Sequence, residues 1–380
     1  MYKRQAEEDL GIRLVPDALY GRNAAVLERG AARLGHAGAR VHRGAPACRS
    51  TGVCELGCPQ DAKLAMHVSY VPNALAAGAI LYTRTRAETL LLSSGRVFGV
   101  RAQFLGADGV PTGHALRVVA DRVVVACGAL LTPVLLARSG AGGASGQLGR
   151  NLRIHPSARI VARFAGEVRG WAEVPQAFAV DQFLDEGIVI QTQFAQPAAL
   201  ALALPAVGRT HRSIMARYPH LAAVTAQIAD GASGRVLPGR GGSPSVRYRL
   251  HEADRRRMLR AISLAAEMLF AAGAIEVYPA LRSHPVLAGV DEAIALRDAA
   301  VAERDLDLVA HHPMGTARMA DDKRYGVAST LGAVHDTQDL YVADASLFPA
   351  STTVPPQTTI IALALRIAEH ISDDLGAPLS

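Results

Sequence analysis

The sequence predicts an α/β protein, α+β overall, built from two unlike parts. Residues 121–130, "DRVVVACGAL", are a continuous apolar run ending in glycine and feeding an apolar helical segment, the pattern of a buried strand of the parallel kind. Residues 155–250 instead hold short β-like runs separated by Gly- and Pro-rich loops such as "LPGRGGSP", the texture of an antiparallel sheet. The last seventy residues return to a strand, a turn and a long helix.

From the N-terminus, apolar residues at Ala24, Leu27, Ala31 and Leu34 recur with helical period and predict a helix over 23–34. A cysteine-bearing loop, 48–63, follows. Residues 67–77 read as a helix stopped by Gly78, and "AILYTR" (79–84) and "ETLLLS" (88–93) as short strands. "GRVFGVRAQF" and "ALRVVA" flank a turn-like loop at 105–114, an antiparallel pair. "LTPVLLARSG" is the helix after the buried strand. In the second part the strands are "ARIVARF", "GIVIQTQF", "AAVTAQI" and "SVRYRL"; a helix over 253–273 places Met258, Ile262, Ala265 and Leu269 on one face. "LYVADASLFP" is a strand into a turn and "QTTIIALALRIAEHI" the closing helix.

With 380 residues, half of them hydrophobic, the chain has ample material for a buried core. Its charge of +6 is scattered, and Lys occurs only at Lys3, Lys63 and Lys323. The one dense cluster, Arg255–Arg257 with Arg260, falls in a helical pattern and reads as a solvated face, so no nucleic-acid partner is expected. No apolar stretch reaches the roughly 18 residues of a membrane span. A cytoplasmic location is expected.

Two segments carry chemistry. In "HHPMGTARM", 311–319, Pro313 biases His312 toward an extended backbone, Gly315 permits a tight turn, and an imidazole is suited to proton transfer near neutral pH. A satisfied structural histidine is the bland alternative. In 340–371 a strand ends at Asp344 and a helix begins near Gln357 and Thr358, whose N–H groups favour an electron-rich ligand. A capped turn is the alternative there. No GxGxxG turn opens a strand–helix unit anywhere, and "AGGASG" at 141–146 follows a helix and reads as a plain loop.

Together these segments resemble the C-terminal signature of the glucose–methanol–choline (GMC) oxidoreductases. "CRSTGVCELGCPQDAK", "GRVFGVRA", "RVVVACGALLTPVLLARSG" and "LGRNLRIHP" are similar to successive blocks of that family, in order, and the likeness is weakest over 165–300. The resemblance implies FAD as cofactor and oxidation of the CH–OH group of an alcohol or sugar-like donor, with His312 as base and hydride passing to flavin N5. It places Glu88, Ala126, Cys127 and Gly128 near the adenosine half, Asp344 and Ala345 beneath the ribityl and pyrophosphate, and Pro356, Gln357 and Thr358 at the pyrimidine edge. It assigns 6–160 and 305–380 to a FAD/NAD(P)-binding-like portion lacking its first βαβ unit, and 161–304 to a substrate domain with an antiparallel sheet. The electron acceptor, whether oxygen, a quinone or a protein such as a cytochrome, stays open.

One departure stands out. The family's second polar partner, Asn or His, falls where this chain has Pro355, so His312 acts alone or with a substitute such as Thr353 or a water. That departure keeps a hydroxynitrile lyase-like activity and a non-catalytic homologue as alternatives. Cys48, Cys54 and Cys58 resemble a loop that holds an iron–sulfur cluster in some members; structural thiols are the favoured reading and zinc a third. His155 reads as a structural residue at the domain junction, and Trp171 as packing. Finally, "MYKRQ" is what a GTG start followed by TAT AAG AGA CAG encodes, the end of a transposon adapter used in sequencing. The chain is therefore expected to begin inside that adapter, with its natural start upstream, and as written to bind FAD poorly.

Overall fold

A computed structural model describes residues 1–231 and 233–376; the last four residues of the expected flavin portion lie outside the described residues. Its largest element is a seven-stranded antiparallel sheet. From one edge the order is Glu276–Tyr278, Ser157–Arg163, Leu221–Ile228, Ile188–Thr192, Phe178–Val180 and Ala39–Arg40, with Leu308–Val309 also pairing on Ser157–Arg163. The sheet thus takes strands from both sides of 161–304.

Strand alternation divides its two faces. Ala158, Ile160, Ala162, Ile188, Ile190, Ala222, Val224 and Ala226 point into the main core, where Met258, Ile262, Ala265 and Leu269 of helix Glu252–Ala271 cover them. The opposite face is also buried, apolar where Val161, Leu221 and Ala223 pack against Phe194 and Leu200, and polar beside them, where Gln191 donates to Gln227 at 2.8 Å and Thr225 to Gln193 at 2.7 Å. Their mutual bonds offset the loss of water. The arginine cluster is used up locally, Arg255 and Arg256 on Glu252, Arg257 on Asp254 and Arg260 on Glu186.

The second centre is small. Strand Val123–Val125 pairs in parallel with Leu340–Val342, and helix Gly128–Ser139 leaves the first of them at once. Helix Gln357–Asp374 buries Ile367 against this pair. Thr85–Ser93, Arg96–Leu105 and Pro111–Val119 form a three-stranded antiparallel sheet, with a bulge that leaves Glu88 without a partner residue. Helix Tyr2–Asp9 lies on the closing helix, its Ala6 fully buried with Ile361 and its Tyr2 hydroxyl on Glu369.

Several expectations are corrected. Residues 79–84 form no strand: Ile80, Leu81 and Tyr82 are exposed, and no described segment offers a ladder to pair their backbone. The 67–77 helix is a 3₁₀ turn, Met66–Val68, followed by Tyr70–Ala76. "SVRYRL" does not join the large sheet; Pro244–Arg247 folds back on Arg235–Pro238 as a hairpin. Among the described residues no helix is long and apolar enough to cross a membrane.

Candidate active site

The segment after His312 is stitched to both of its neighbours. Met314 and Arg153 exchange backbone N–H···O bonds of 2.9 Å. On the other side Gly315, Ala317 and Met319 donate to the carbonyls of Ala345, Ser346 and Leu347 at 3.1, 2.9 and 2.8 Å. The Thr316 hydroxyl donates to Ala129 O at 2.6 Å. Pro313 has no N–H to contribute, so the ladder begins one residue later. His312 is left half-buried at its mouth, and His311 beside it is exposed.

The group that meets His312 is His155. Their Nδ1 atoms are 3.0 Å apart, and His155 Nε2 is 3.2 Å from the backbone carbonyl of Thr353. His155 is fully buried, with φ +49° just before Pro156. Such a backbone costs about 1–3 kcal/mol and persists only where neighbours impose it. Asp230 imposes it here: its carboxylate accepts the N–H of Ile154 and of His155, both at 3.1 Å. The same carboxylate takes the Tyr248 and Ser351 hydroxyls at 2.8 and 2.7 Å. Burial, reinforced by His155 and His311, pushes His312 down to about 4. Burial also holds His155 below its ordinary value.

Thr353 therefore serves through its carbonyl and on His155, not as a side-chain partner of His312. Neither His155 as a partner nor Asp230 as its anchor was foreseen. One signal was present: His155–Pro156 and His312–Pro313 are the same dipeptide, and the structure brings the two together.

The Asp344 turn is a second junction. Its carboxylate accepts from Gly128 N–H at 2.9 Å, the Thr132 hydroxyl at 2.5 Å and Ser346 N–H at 2.7 Å. Ala126 and Cys127 are exposed just ahead of Gly128, and Ala345 is half-buried. Pro356 is buried, Gln357 is exposed and Thr358 half-buried, and no side chain caps the first turn of the helix they open. Asp344 is thus brought to Gly128. Glu88 is held instead by Arg86 at 3.2 Å, and two residues on, Leu90 N–H bonds Ser139 at the far end of the helix that Gly128 starts.

GMC oxidoreductase family models match residues 1–157 and 235–364. An uncharacterized GMC-type oxidoreductase of Sinorhizobium fredii (strain NBRC 101917 / NGR234) is 31% identical over 97% of this chain and 72% of its own length. The chain belongs to the GMC oxidoreductase family. A GMC-type oxidoreductase of Mycobacterium tuberculosis (strain ATCC 25618 / H37Rv), also uncharacterized, is 37% identical over 96% of the chain, which spans 57% of that relative. A long-chain-alcohol oxidase of Arabidopsis thaliana is 27% identical over 92% of the chain and 49% of its own length. Among solved structures, pyridoxine 4-oxidase from Mesorbium loti superposes with TM-score 0.63 at 20% identity, over 95% of this chain and 72% of the other. Aspergillus oryzae formate oxidase gives 0.66 at 16%, over 95% and 71%. These two share the fold.

GMC oxidoreductases are FAD-dependent flavoproteins, and the residues here fit that group. Two buried hydroxyls, Ser346 Oγ in the 3₁₀ turn Ala345–Leu347 and Thr352 Oγ1 in the loop after it, have no partner among the described residues, and both lie in the matched C-terminal segment. A Cβ built on Gly128, at φ +76°, would meet nothing within 4 Å, so the backbone there is open to a close approach.

The GMC cysteine loop does not gather its thiols. Cys48 packs against the main core, Cys54 accepts from Arg43 at 3.4 Å, and backbone N–H groups led by those of Gln60 and Lys63 hold the Cys58 thiol below its ordinary value. All three are unpaired, and among the described residues no three His, Cys, Asp or Glu side chains stand as a metal-ligand set.

Proposed function

We propose that the protein oxidises the CH–OH group of an alcohol, with His312 as the base. The observation that carries this reading is the placement of His312: half-buried, in contact through Nδ1 with His155 and with no partner on Nε2 among the described residues, where burial favours its neutral form. An imidazole so placed takes the hydroxyl proton as alkoxide character develops. FAD, when bound, supplies the hydride acceptor. The exposed Ala126–Cys127 backbone, the Asp344–Ala345 turn and the uncapped start of the helix at Pro356, Gln357 and Thr358 would hold it. A helix start carries positive potential that favours electron-rich groups. Residues 6–160 and 305–380 would then form the flavin portion and 161–304 the substrate portion; the two family models leave 158–234 unmatched, and the second begins at 235, inside that substrate portion.

Relatives that oxidise long-chain alcohols and a fold neighbour that oxidises pyridoxine make an alcohol the substrate class to test first. His155 beside His312 supports a catalytic reading despite Pro355. The test is anaerobic reduction of the flavin by a panel of aliphatic and aromatic alcohols, using holoenzyme expressed from the intact gene. Bleaching by at least one alcohol, lost about 10²–10⁴-fold in His312→Ala at equal flavin content, is expected. Bleaching that survives the substitution would remove His312 from the reaction, and a flavin bleached by no alcohol would remove the activity.

A further inference from the structure

We propose that His155 is a positioning residue that fixes the tautomer of His312, so that Nε2 of His312 is the unprotonated nitrogen offered to the substrate hydroxyl. This rests on His312 being the base.

The assignment follows from what each neighbour is able to do. The Thr353 carbonyl only accepts, so His155 Nε2, 3.2 Å from it, carries a hydrogen. His155 is fully buried, and that burial keeps it neutral. Asp230 works against this from the backbone side, yet its oxygens are already occupied by the N–H groups of Ile154 and His155 and by the hydroxyls of Tyr248 and Ser351. A neutral imidazole protonated on Nε2 has its lone pair on Nδ1. His312 Nδ1, 3.0 Å from that lone pair, must then donate. A neutral His312 protonated on Nδ1 has its own lone pair on Nε2, the nitrogen without a partner among the described residues. The opposite assignment sets two lone pairs against each other, at His155 Nδ1 or at the Thr353 carbonyl, or else requires a charged imidazole in a fully buried place.

The step balances simply. The substrate O–H bond breaks, its proton forms the N–H bond on His312 Nε2, and the hydride leaves carbon for the flavin that the proposed function supplies. His312 becomes an imidazolium, and its existing bond to His155 Nδ1 turns charge-assisted and so shortens and strengthens. No proton passes to His155. With the backbone at φ +49° and pinned by Asp230, the His155 ring stands between Thr353 and His312. The partner position that Pro355 leaves empty-handed is filled from the other side of the site.

The experiment uses holoenzyme from the intact gene, labelled with ¹⁵N in its histidine rings. In the wild type, His312 is expected to show a protonated Nδ1 and a pyridine-like Nε2 near pH 7. His155→Ala should shift it toward the Nε2-protonated form and slow flavin reduction by roughly 100-fold, with KM and flavin content little changed. His155→Asn, whose Oδ1 takes the place of the accepting Nδ1, should restore the tautomer and bring the rate to within about tenfold of wild type. A wild-type His312 protonated on Nε2, or a His155→Ala enzyme that reduces its flavin at the full rate, overturns the proposal. If His155→Ala does not fold, the wild-type spectrum and His155→Asn still decide it. Failure of the underlying reading looks different: His312→Ala would then reduce its flavin normally whatever the spectra show.

Discussion

The hydroxyl of Thr132 and the carboxylate of Asp344 are 2.5 Å apart across 212 positions of sequence. With Gly128 N–H on the same oxygen, this contact ties the start of one helix to the turn at the end of the parallel strand. Removing the carboxylate strands three donors at once. Asp344→Ala should cost roughly 2–4 kcal/mol, and Thr132→Val roughly 1–2, read as loss of stability in chemical denaturation. Equal, negligible effects of the two would show that the junction does not hold the fold.

Gly315 is the tightest point behind His312. It sits at φ +87°, and a Cβ there would lie 2.6 Å from Asn151 O. Gly315→Ala should therefore destabilise by about 2–4 kcal/mol and displace the ladder that sets His312. A crystal structure of the variant with the Gly315–Ala345 bond intact would contradict this.

The pH dependence has a definite sign. Burial, His155 and His311 lower His312 to about 4, and only its neutral form is a base. The rate of flavin reduction should hold level from pH 7 through 5 and fall as pH approaches 4, not at the ordinary histidine value near 6.5. Stability follows the same depression. Between about 6.5 and 4 the unfolded chain takes up a proton that the folded one refuses, so folding weakens as pH falls across that window. An enzyme half-active at 6.5, with stability flat from 7 to 4, would refute the shift.

Asp230 predicts a different phenotype from His312. Asp230→Asn keeps the shape but turns one acceptor oxygen into an amide donor, opposite groups that themselves donate. Flavin content should stay near wild type, while the histidine pair loosens and reduction slows by about tenfold or more. Lost flavin at an unchanged reduction rate would place Asp230 in cofactor binding instead.

Much of this was legible because it is local. The apolar run at 123–125, the helix Gly128–Ser139 and the stripe of Met258, Ile262, Ala265 and Leu269 each announce themselves within a dozen residues. His312 stood out through the ordered blocks around it that resemble the family, since a His before a Pro is by itself as readily structural. What stayed hidden is non-local. His155 and His312 are 157 positions apart, and nothing in "RIHP" or "IAD" says that one carboxylate will hold the other loop. The 79–84 run failed for a related reason: apolar alternation signals a strand's side chains but not the neighbour its backbone requires.

The pairing of Val123–Val125 with Leu340–Val342 also orders events in time. Asp344 leaves the ribosome 216 residues after the Gly128 it must bind. At synthesis rates of about 5–20 residues per second, that is a delay of roughly 10–40 s. The strand and the helix behind it must wait through that interval with their apolar faces unmatched, while the large sheet, whose strands mostly arrive in between, has time to assemble first. The junction at Asp344 is in this sense the last to be closed and the most dependent on an unbroken chain, and a nascent protein paused before residue 340 is where chaperones should bind it most.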